Sequence, residues 1–296
     1  MSWKPEVLVD EAPARRLIGT QFPELDTRRL QLLGEGWDMT VWLVDGAHVF
    51  RFPRREIVVP GLLRELEVLP LIAAELPLAI PEPRFVGRPD AAYPWPFYGA
   101  WLIPGLECGQ AGLDQAARDA LAPALAGFLR RLHELPPPRG LPDDPMGRGD
   151  MAIRVPLTRE ALARLHELGV WTAPHGIEEL LDQALALPPA ADKVLVHGDL
   201  HLRHLLVDGA RASGVIDWID VSRAPRSVDL VLYWSLFSAA GRGAFSRFYG
   251  ELDEATLLRA RVLSLNLCAL LADYAHVEGI GWLESEAVAG LERTAV

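Results

Sequence analysis

One stretch of the chain concentrates groups that could do chemistry. Val194-Leu195-Val196, an apolar β-type run, leads into His197-Gly198-Asp199-Leu200-His201-Leu202-Arg203-His204, and Leu205-Leu206-Val207 follows. An Asp208-Gly209 turn then returns the chain to Gly214-Val215-Ile216-Asp217-Trp218. Strands are stiff, so side chains at their ends are held in place. The arrangement offers two carboxylates, Asp199 and Asp217, at neighbouring strand ends with imidazoles between them. Two carboxylates with a nearby N or O ligand suit Mg²⁺ and a hydroxyl nucleophile. One can orient or deprotonate the hydroxyl while the other holds metal on a nucleotide's phosphates. A rival chemistry is zinc hydrolysis, because His197, His201 and His204 could form a three-histidine site. The preceding strand and Gly198 argue for a loop there, not for a helix carrying ligands one turn apart.

The elements around this block divide the chain. Arg28–Leu33 leads into Gly34-Glu35-Gly36-Trp37-Asp38, a turn of permissive residues. Val41–Val44 and Val49–Phe52 flank Asp45-Gly46, a strong hairpin signal. Residues 60–76 have helical periodicity cut by Pro70; Arg84–Val86 and Phe97–Ile103 read as further strands. Tyr93-Pro94-Trp95-Pro96-Phe97 reads as packing at a lobe edge. Ile103-Pro104-Gly105 is the expected boundary, since Pro and Gly stop a strand and permit a sharp turn. Beyond it, helices are expected over Asp114–Leu135, Thr158–Leu168 and Ile177–Leu187, and from Ser227 onward. The expectation is an α+β fold: a β-rich lobe over residues 1–103 and a larger, mainly helical lobe over residues 104–296.

The block His197-Gly198-Asp199-Leu200-His201 with His204, followed by Ile216-Asp217-Trp218, resembles the aminoglycoside phosphotransferase family, whose fold is similar to that of protein kinases. The pattern is closest to the aminoglycoside 2''-phosphotransferases and macrolide phosphotransferases. The resemblance extends from about Gly34 to Asp229. It implies Asp199 as the catalytic base, and His204 and Asp217 as Mg²⁺ ligands, with His204 where the family commonly carries Asn. It further implies that Gly34 and Gly36 cover the phosphates and that Arg51 stands where the kinase fold carries a phosphate-pairing Lys. Glu65 is then the partner of Arg51, and Leu102 and Ile103 form a hinge that presents backbone groups to a purine. Asp229 resembles the family's Asp that braces the catalytic loop, and His197 is expected to brace it too.

The activity so implied is transfer of the γ-phosphate of ATP or GTP to a hydroxyl of an aminoglycoside, macrolide or related metabolite, with Mg²⁺. Arg51 and His204 depart from the commonest pattern and also admit a non-catalytic nucleotide- or ligand-binding relative. The composition narrows the partners. Among 296 residues, 29 Lys and Arg stand against 40 Asp and Glu, a net charge of -11, which argues against nucleic acid because phosphate-backbone affinity needs clustered positive charge. Acidic residues of the second lobe, among them Asp143, Asp144, Asp150, Glu178, Glu179, Asp273, Glu278, Glu284 and Glu286, could attract a cationic acceptor. Two cysteines far apart, Cys108 and Cys268, form no disulfide framework and fit a reducing cytoplasm. No secretory leader or membrane span is read from the sequence, and a monomer or weak dimer is expected.

Overall fold

Ala14, Leu17 and Ile18 recur at helical spacing and line the buried side of α1 (Glu11–Gln21), a helix the sequence reading did not pick out. The computed structural model describes residues 5–36 and 38–296; Trp37 and the first four residues lie outside the described residues. Three strands follow α1: β1 (Leu30–Glu35), β2 (Met39–Val44) and β3 (His48–Pro53). Asp45 and Gly46 take positive φ of 53° and 68°, as a type I′ turn requires, and the Ala47 N–H donates to the Val44 carbonyl at 3.1 Å. Helix α2 (Val59–Ile72) comes next, then β4 (Phe85–Gly87) and β5 (Phe97–Trp101). Pro70 falls in the last turn of α2, and only Leu71 and Ile72 follow it in the helix, so the helix ends within a turn of the proline.

The five strands form one antiparallel sheet in the order β1-β2-β3-β5-β4. Its covered face packs Trp42, Phe50, Phe52, Tyr93, Trp95 and Phe97 against α1. The aromatic-proline cluster is therefore core, with Phe52 and Phe97 stacked at 4.5 Å.

This sheet belongs to the first of two units, Met1–Glu75 with Ala79–Ile103; the second is Leu76–Leu78 with Pro104–Val296. The second unit opens with β6 (Leu106–Glu107), α3 (Gln115–Ala120) and α4 (Ala122–Glu134). The single helix expected over Asp114–Leu135 is thus two. Pro123 sits in the first turn of α4, where a missing N–H costs nothing, so the helix restarts there. Helix α5 (Met151–Glu167) starts seven residues before the expected Thr158, capped by Asp150 through the Ala152 N–H. Then come α6 (Ile177–Leu185), β7 (Val194–Val196), β8 (Leu205–Asp208), β9 (Arg211–Val215) and β10 (Ser222–Ala224). The chain ends in α7 (Val231–Ser235), α8 (Ala239–Tyr249), α9 (Glu254–Glu278) and α10 (Gly281–Ala295).

Two small antiparallel sheets, β6-β8-β9 and β10-β7, carry the loops that hold the candidate site. Apolar faces of α5, α6, α9 and α10 bury a common core. Among the described residues only α9 is long and apolar enough to cross a membrane, and 67% of its most apolar stretch is packed inside the protein. Cys108 and Cys268 are both buried free thiols.

Candidate active site

Strand β7 delivers His197 to a loop whose backbone is fixed by one buried carboxylate. Asp229 accepts the His197 N–H at 2.8 Å and the Gly198 N–H at 2.9 Å. It also meets the His133 Nε2 at 3.2 Å, while His133 Nδ1 lies 2.7 Å from the Tyr249 hydroxyl. Asp229 therefore braces the loop. Gly198 has φ of +93°, and a Cβ there would come within 2.3 Å of the Asp220 carbonyl oxygen. Only glycine fits this crossing. His197 donates from Nε2 to the Ile216 carbonyl at 2.9 Å and accepts the Asp199 N–H on Nδ1 at 3.1 Å. Burial pushes its pKa down, so it stays neutral and ties the loop after β7 to the one after β9.

This geometry removes the three-histidine zinc site. Both nitrogens of His197 are committed to backbone. His201 accepts the Arg203 N–H on Nδ1 at 3.3 Å, which leaves the proton on Nε2, 3.7 Å from Asp199 Oδ2. Burial first, then the neighbouring His204, push the His201 pKa well down. Asp199, His201 and His204 do gather, with ligand atoms within 4.8 Å of one another, but His201 turns an N–H into the group where a metal needs a lone pair.

His204 and Asp217 suit a cation better. His204 donates from Nδ1 to the Asp199 carbonyl at 2.7 Å, so its lone pair is on Nε2. That atom lies 3.4 Å from Asp217 Oδ2. Cis ligands on an octahedral ion with bonds of about 2.1 Å stand about 3 Å apart, so the pair fits one divalent cation. Asp217 adopts φ of 67°, a left-handed conformation costing a non-glycine residue about 1 kcal/mol, and such strain marks a side chain that must point one way.

Asp199, at the centre, is a quarter exposed. Burial opposes its charge, but the Arg148 guanidinium and the flanking histidines outweigh that and hold its pKa at about 2. Sequence reasoning missed Arg148. It comes from the loop before α5, and its Nη2 lies 3.2 Å from Asp199 Oδ1 and 2.8 Å from Asp220 Oδ2. It also donates from Nη1 to the Gly198 carbonyl. Its placement between Gly147 and Gly149, in a loop with no periodicity, gave no signal of this contact.

In the first unit, Arg51 on β3 and Glu65 on α2 meet in the interior. Arg51 Nη1 lies 2.5 Å from Glu65 Oε1 and 3.2 Å from the Tyr98 hydroxyl. Gly34 lies in β1, at an irregularity of its pairing with β2; the Gly36 N–H donates to the Met39 carbonyl at 2.9 Å. Among the described residues, a Cβ at Gly34 would meet nothing within 4 Å and one at Gly36 only the Met39 carbonyl oxygen at 3.8 Å, so the described part of the hairpin does not require either glycine. Leu102 donates its N–H to the Ala47 carbonyl at 2.8 Å. That donor is already committed, which leaves the purine-facing role expected of this connector to its other backbone groups. Ile103 is buried beside it.

The sequence model of the phosphotransferase enzyme family matches residues 29–263. The chain belongs to this family. Among curated relatives it is 26% identical over 225 residues to the uncharacterized protein YcbJ of Bacillus subtilis (strain 168), covering 69% of this chain and 67% of that one. It is 30% identical over 155 residues to an aminoglycoside 3'-phosphotransferase of Escherichia coli, covering 46% of this chain and 52% of that one. The chain thus spans about half the length of that second relative. The family fold extends over nearly the whole molecule. An aminoglycoside 2''-phosphotransferase solved with GDP and kanamycin superposes with TM-score 0.71 at 23% identity, covering 95% of this chain and 97% of that one. The macrolide 2'-phosphotransferase of Brachybacterium faecium superposes with TM-score 0.63 at 21% identity, covering 96% and 98%. As a phosphotransferase-family member, the chain has the α+β, kinase-like fold expected from its sequence.

Proposed function

We propose that the chain transfers the γ-phosphoryl group of ATP or GTP to a hydroxyl of a small acceptor, in the class of the aminoglycosides, macrolides and related metabolites its structural relatives are named for. The observation that carries this reading is the 3.4 Å pair of His204 Nε2 and Asp217 Oδ2 in the same braced loops as an ionised Asp199. Asp199 orients the acceptor hydroxyl and takes its proton as the new O–P bond forms and the bond from the γ-phosphorus to the β–γ bridging oxygen breaks, releasing ADP or GDP. His204 and Asp217 would hold Mg²⁺, which when bound neutralises charge on the nucleotide phosphates. Asp229 and His197 keep the loop from shifting, so that Asp199 meets its substrate without reorganisation. Arg51, oriented by Glu65, supplies positive charge to the phosphates, and bare backbone at Gly34 and Gly36 leaves room for them. An antibiotic-modifying role in a cytoplasmic setting is part of this reading; the two buried free thiols support the compartment.

Titration calorimetry with MgATP and MgGTP tests the nucleotide half of the proposal. At least one should bind with a stoichiometry of one, and failure of both would refute it. Arg51→Ala should raise the nucleotide KM roughly tenfold. It should also lower stability by about 3 kcal/mol, because it leaves the buried Glu65 carboxylate without its Arg51 cation. Arg51→Lys should keep most of both, as steady-state kinetics and thermal melts would show.

An imidazole ligand ranks Mn²⁺ above Mg²⁺ more strongly than an amide oxygen does. Substituting His204→Asn should therefore lower the ratio of Mn²⁺ to Mg²⁺ affinity by about tenfold. Electron paramagnetic resonance of bound Mn²⁺, with Mg²⁺ as competitor, measures that ratio directly; an unchanged ratio removes His204 from the metal.

A further inference from the structure

Carboxylates around Asp199 are held by the chain's own donors. Both oxygens of Asp144 accept backbone N–H groups, from Arg148 and Gly149, each at 2.7 Å. Asp143 pairs with Lys193 at 2.7 Å and Arg223 at 3.1 Å, and Asp150 caps α5. Asp220, nearest the catalytic loop, is bound by Arg148 at 2.8 Å. Three of the acidic residues that the sequence offers as a cradle for a cationic acceptor, Asp143, Asp144 and Asp150, are thus organised into turns, caps and ion pairs.

Arg148 is built into this position. Asp144, itself at φ of 34°, accepts the Gly147 N–H on its carbonyl at 2.9 Å and the two further amides on its side chain, closing a tight turn. A Cβ at Gly149 would fall 2.6 Å from Pro225 Cδ and 3.3 Å from Asp144 Oδ2, so glycine lets the turn close against β10. Arg154 clamps the turn from α5, donating to the Gly147 carbonyl at 3.1 Å and to the Met146 carbonyl. The guanidinium of Arg148 is thereby aimed at Asp199, Asp220 and the Gly198 carbonyl at once. Met146 on the same turn is 55% exposed, and Ile153 on α5, whose Cδ1 lies against Gly147, is 45% exposed, so the turn that carries Arg148 presents apolar surface.

We propose that Arg148 is an acceptor-specificity residue that excludes polycationic acceptors: it occupies the carboxylates an ammonium group would seek, and selects a hydroxyl compound of low positive charge with apolar surface. The proposal rests on the phosphotransferase reading and narrows its acceptor. A polyamine sugar reaching Asp199 must displace the guanidinium or sit beside it, and both are unfavourable at this spacing. An uncharged acceptor leaves the Arg148 pairs intact and covers Met146 and Ile153.

A matched pair of probes isolates charge: kanamycin, and kanamycin with every amine acetylated. Their affinities are measured by calorimetry on the full chain saturated with a non-hydrolysable Mg-nucleotide. The wild type should bind the acetylated compound at least tenfold more tightly than kanamycin. Arg148→Gln should tighten kanamycin at least tenfold, and Arg148→Lys should behave as the wild type. Wild-type preference for kanamycin overturns the proposal, and needs no variant to fold. A kanamycin affinity that Arg148→Gln fails to raise, with the variant's nucleotide affinity intact, overturns it too. Loss of nucleotide binding by the wild type itself would instead strike the phosphotransferase reading, which keeps the two failures apart.

Discussion

Asp199→Ala is expected to lower phosphate transfer by about a thousandfold or more while leaving nucleotide affinity within a few-fold of the wild type. The separation follows from which atoms do what. The loop is positioned by backbone groups, with the His197 and Gly198 amides on Asp229 and the Asp199 carbonyl on His204 Nδ1. Those bonds survive truncation of the Asp199 side chain. What is lost, on the proposed mechanism, is the carboxylate that takes the acceptor's proton, and the two histidines nearest it in sequence offer no substitute. His197 has both nitrogens on backbone, and His201 presents an N–H. Asp199→Asn should behave alike, because it keeps the shape and an oxygen for Arg148 but not the base. Single-turnover transfer at saturating nucleotide reads the effect; a variant that retained wild-type turnover would remove Asp199 from the chemistry.

Asp229→Ala is expected to cost more stability than the other substitutions considered above. The carboxylate is fully buried and accepts two backbone amides while meeting His133. Each buried donor left without a partner costs about 1–3 kcal/mol, so the loss is about 4 kcal/mol, or roughly 10 °C in melting temperature for a unit of this size. Activity should fall as well, since Gly198 and Asp199 lose the support that fixes the crossing beneath Asp220. His133→Gln should cost less than half as much, as only one of the three contacts is disturbed. Thermal and urea denaturation check both. An Asp229→Ala protein as stable as the wild type would mean that the loop is held by other means.

The gathering of the candidate site residues was legible in the sequence because it is local. Asp199, His204 and Asp217 lie on one strand-loop-strand stretch, and short-range geometry alone brings them together. The hairpin at Asp45-Gly46 was legible for the same reason, since its turn type is written in two residues. Partners from distant segments were not. Arg148 lies in a loop without periodicity, and its contact with Asp199 depends on Asp144 closing a turn whose geometry only the folded β10 region supplies. His133 and Tyr249 read as ordinary amphipathic-helix positions until α4 and α8 place them beside Asp229. Helix α1 was overlooked although Ala14, Leu17 and Ile18 carry the period, and the break at Leu121 went unseen because the apolar pattern runs on through Pro123. The three-histidine alternative failed on a matter spacing cannot show, that both nitrogens of His197 are committed to backbone groups.

The most direct test of the central claim is transfer of label from γ-³²P ATP and GTP to a panel of hydroxylated acceptors, with products separated and the phosphate ester identified by ³¹P NMR. The account predicts at least one acceptor that is phosphorylated on a hydroxyl by the wild type and not by Asp199→Ala. Nucleotide binding without label transfer to any acceptor, or transfer that persists in Asp199→Ala, would contradict it.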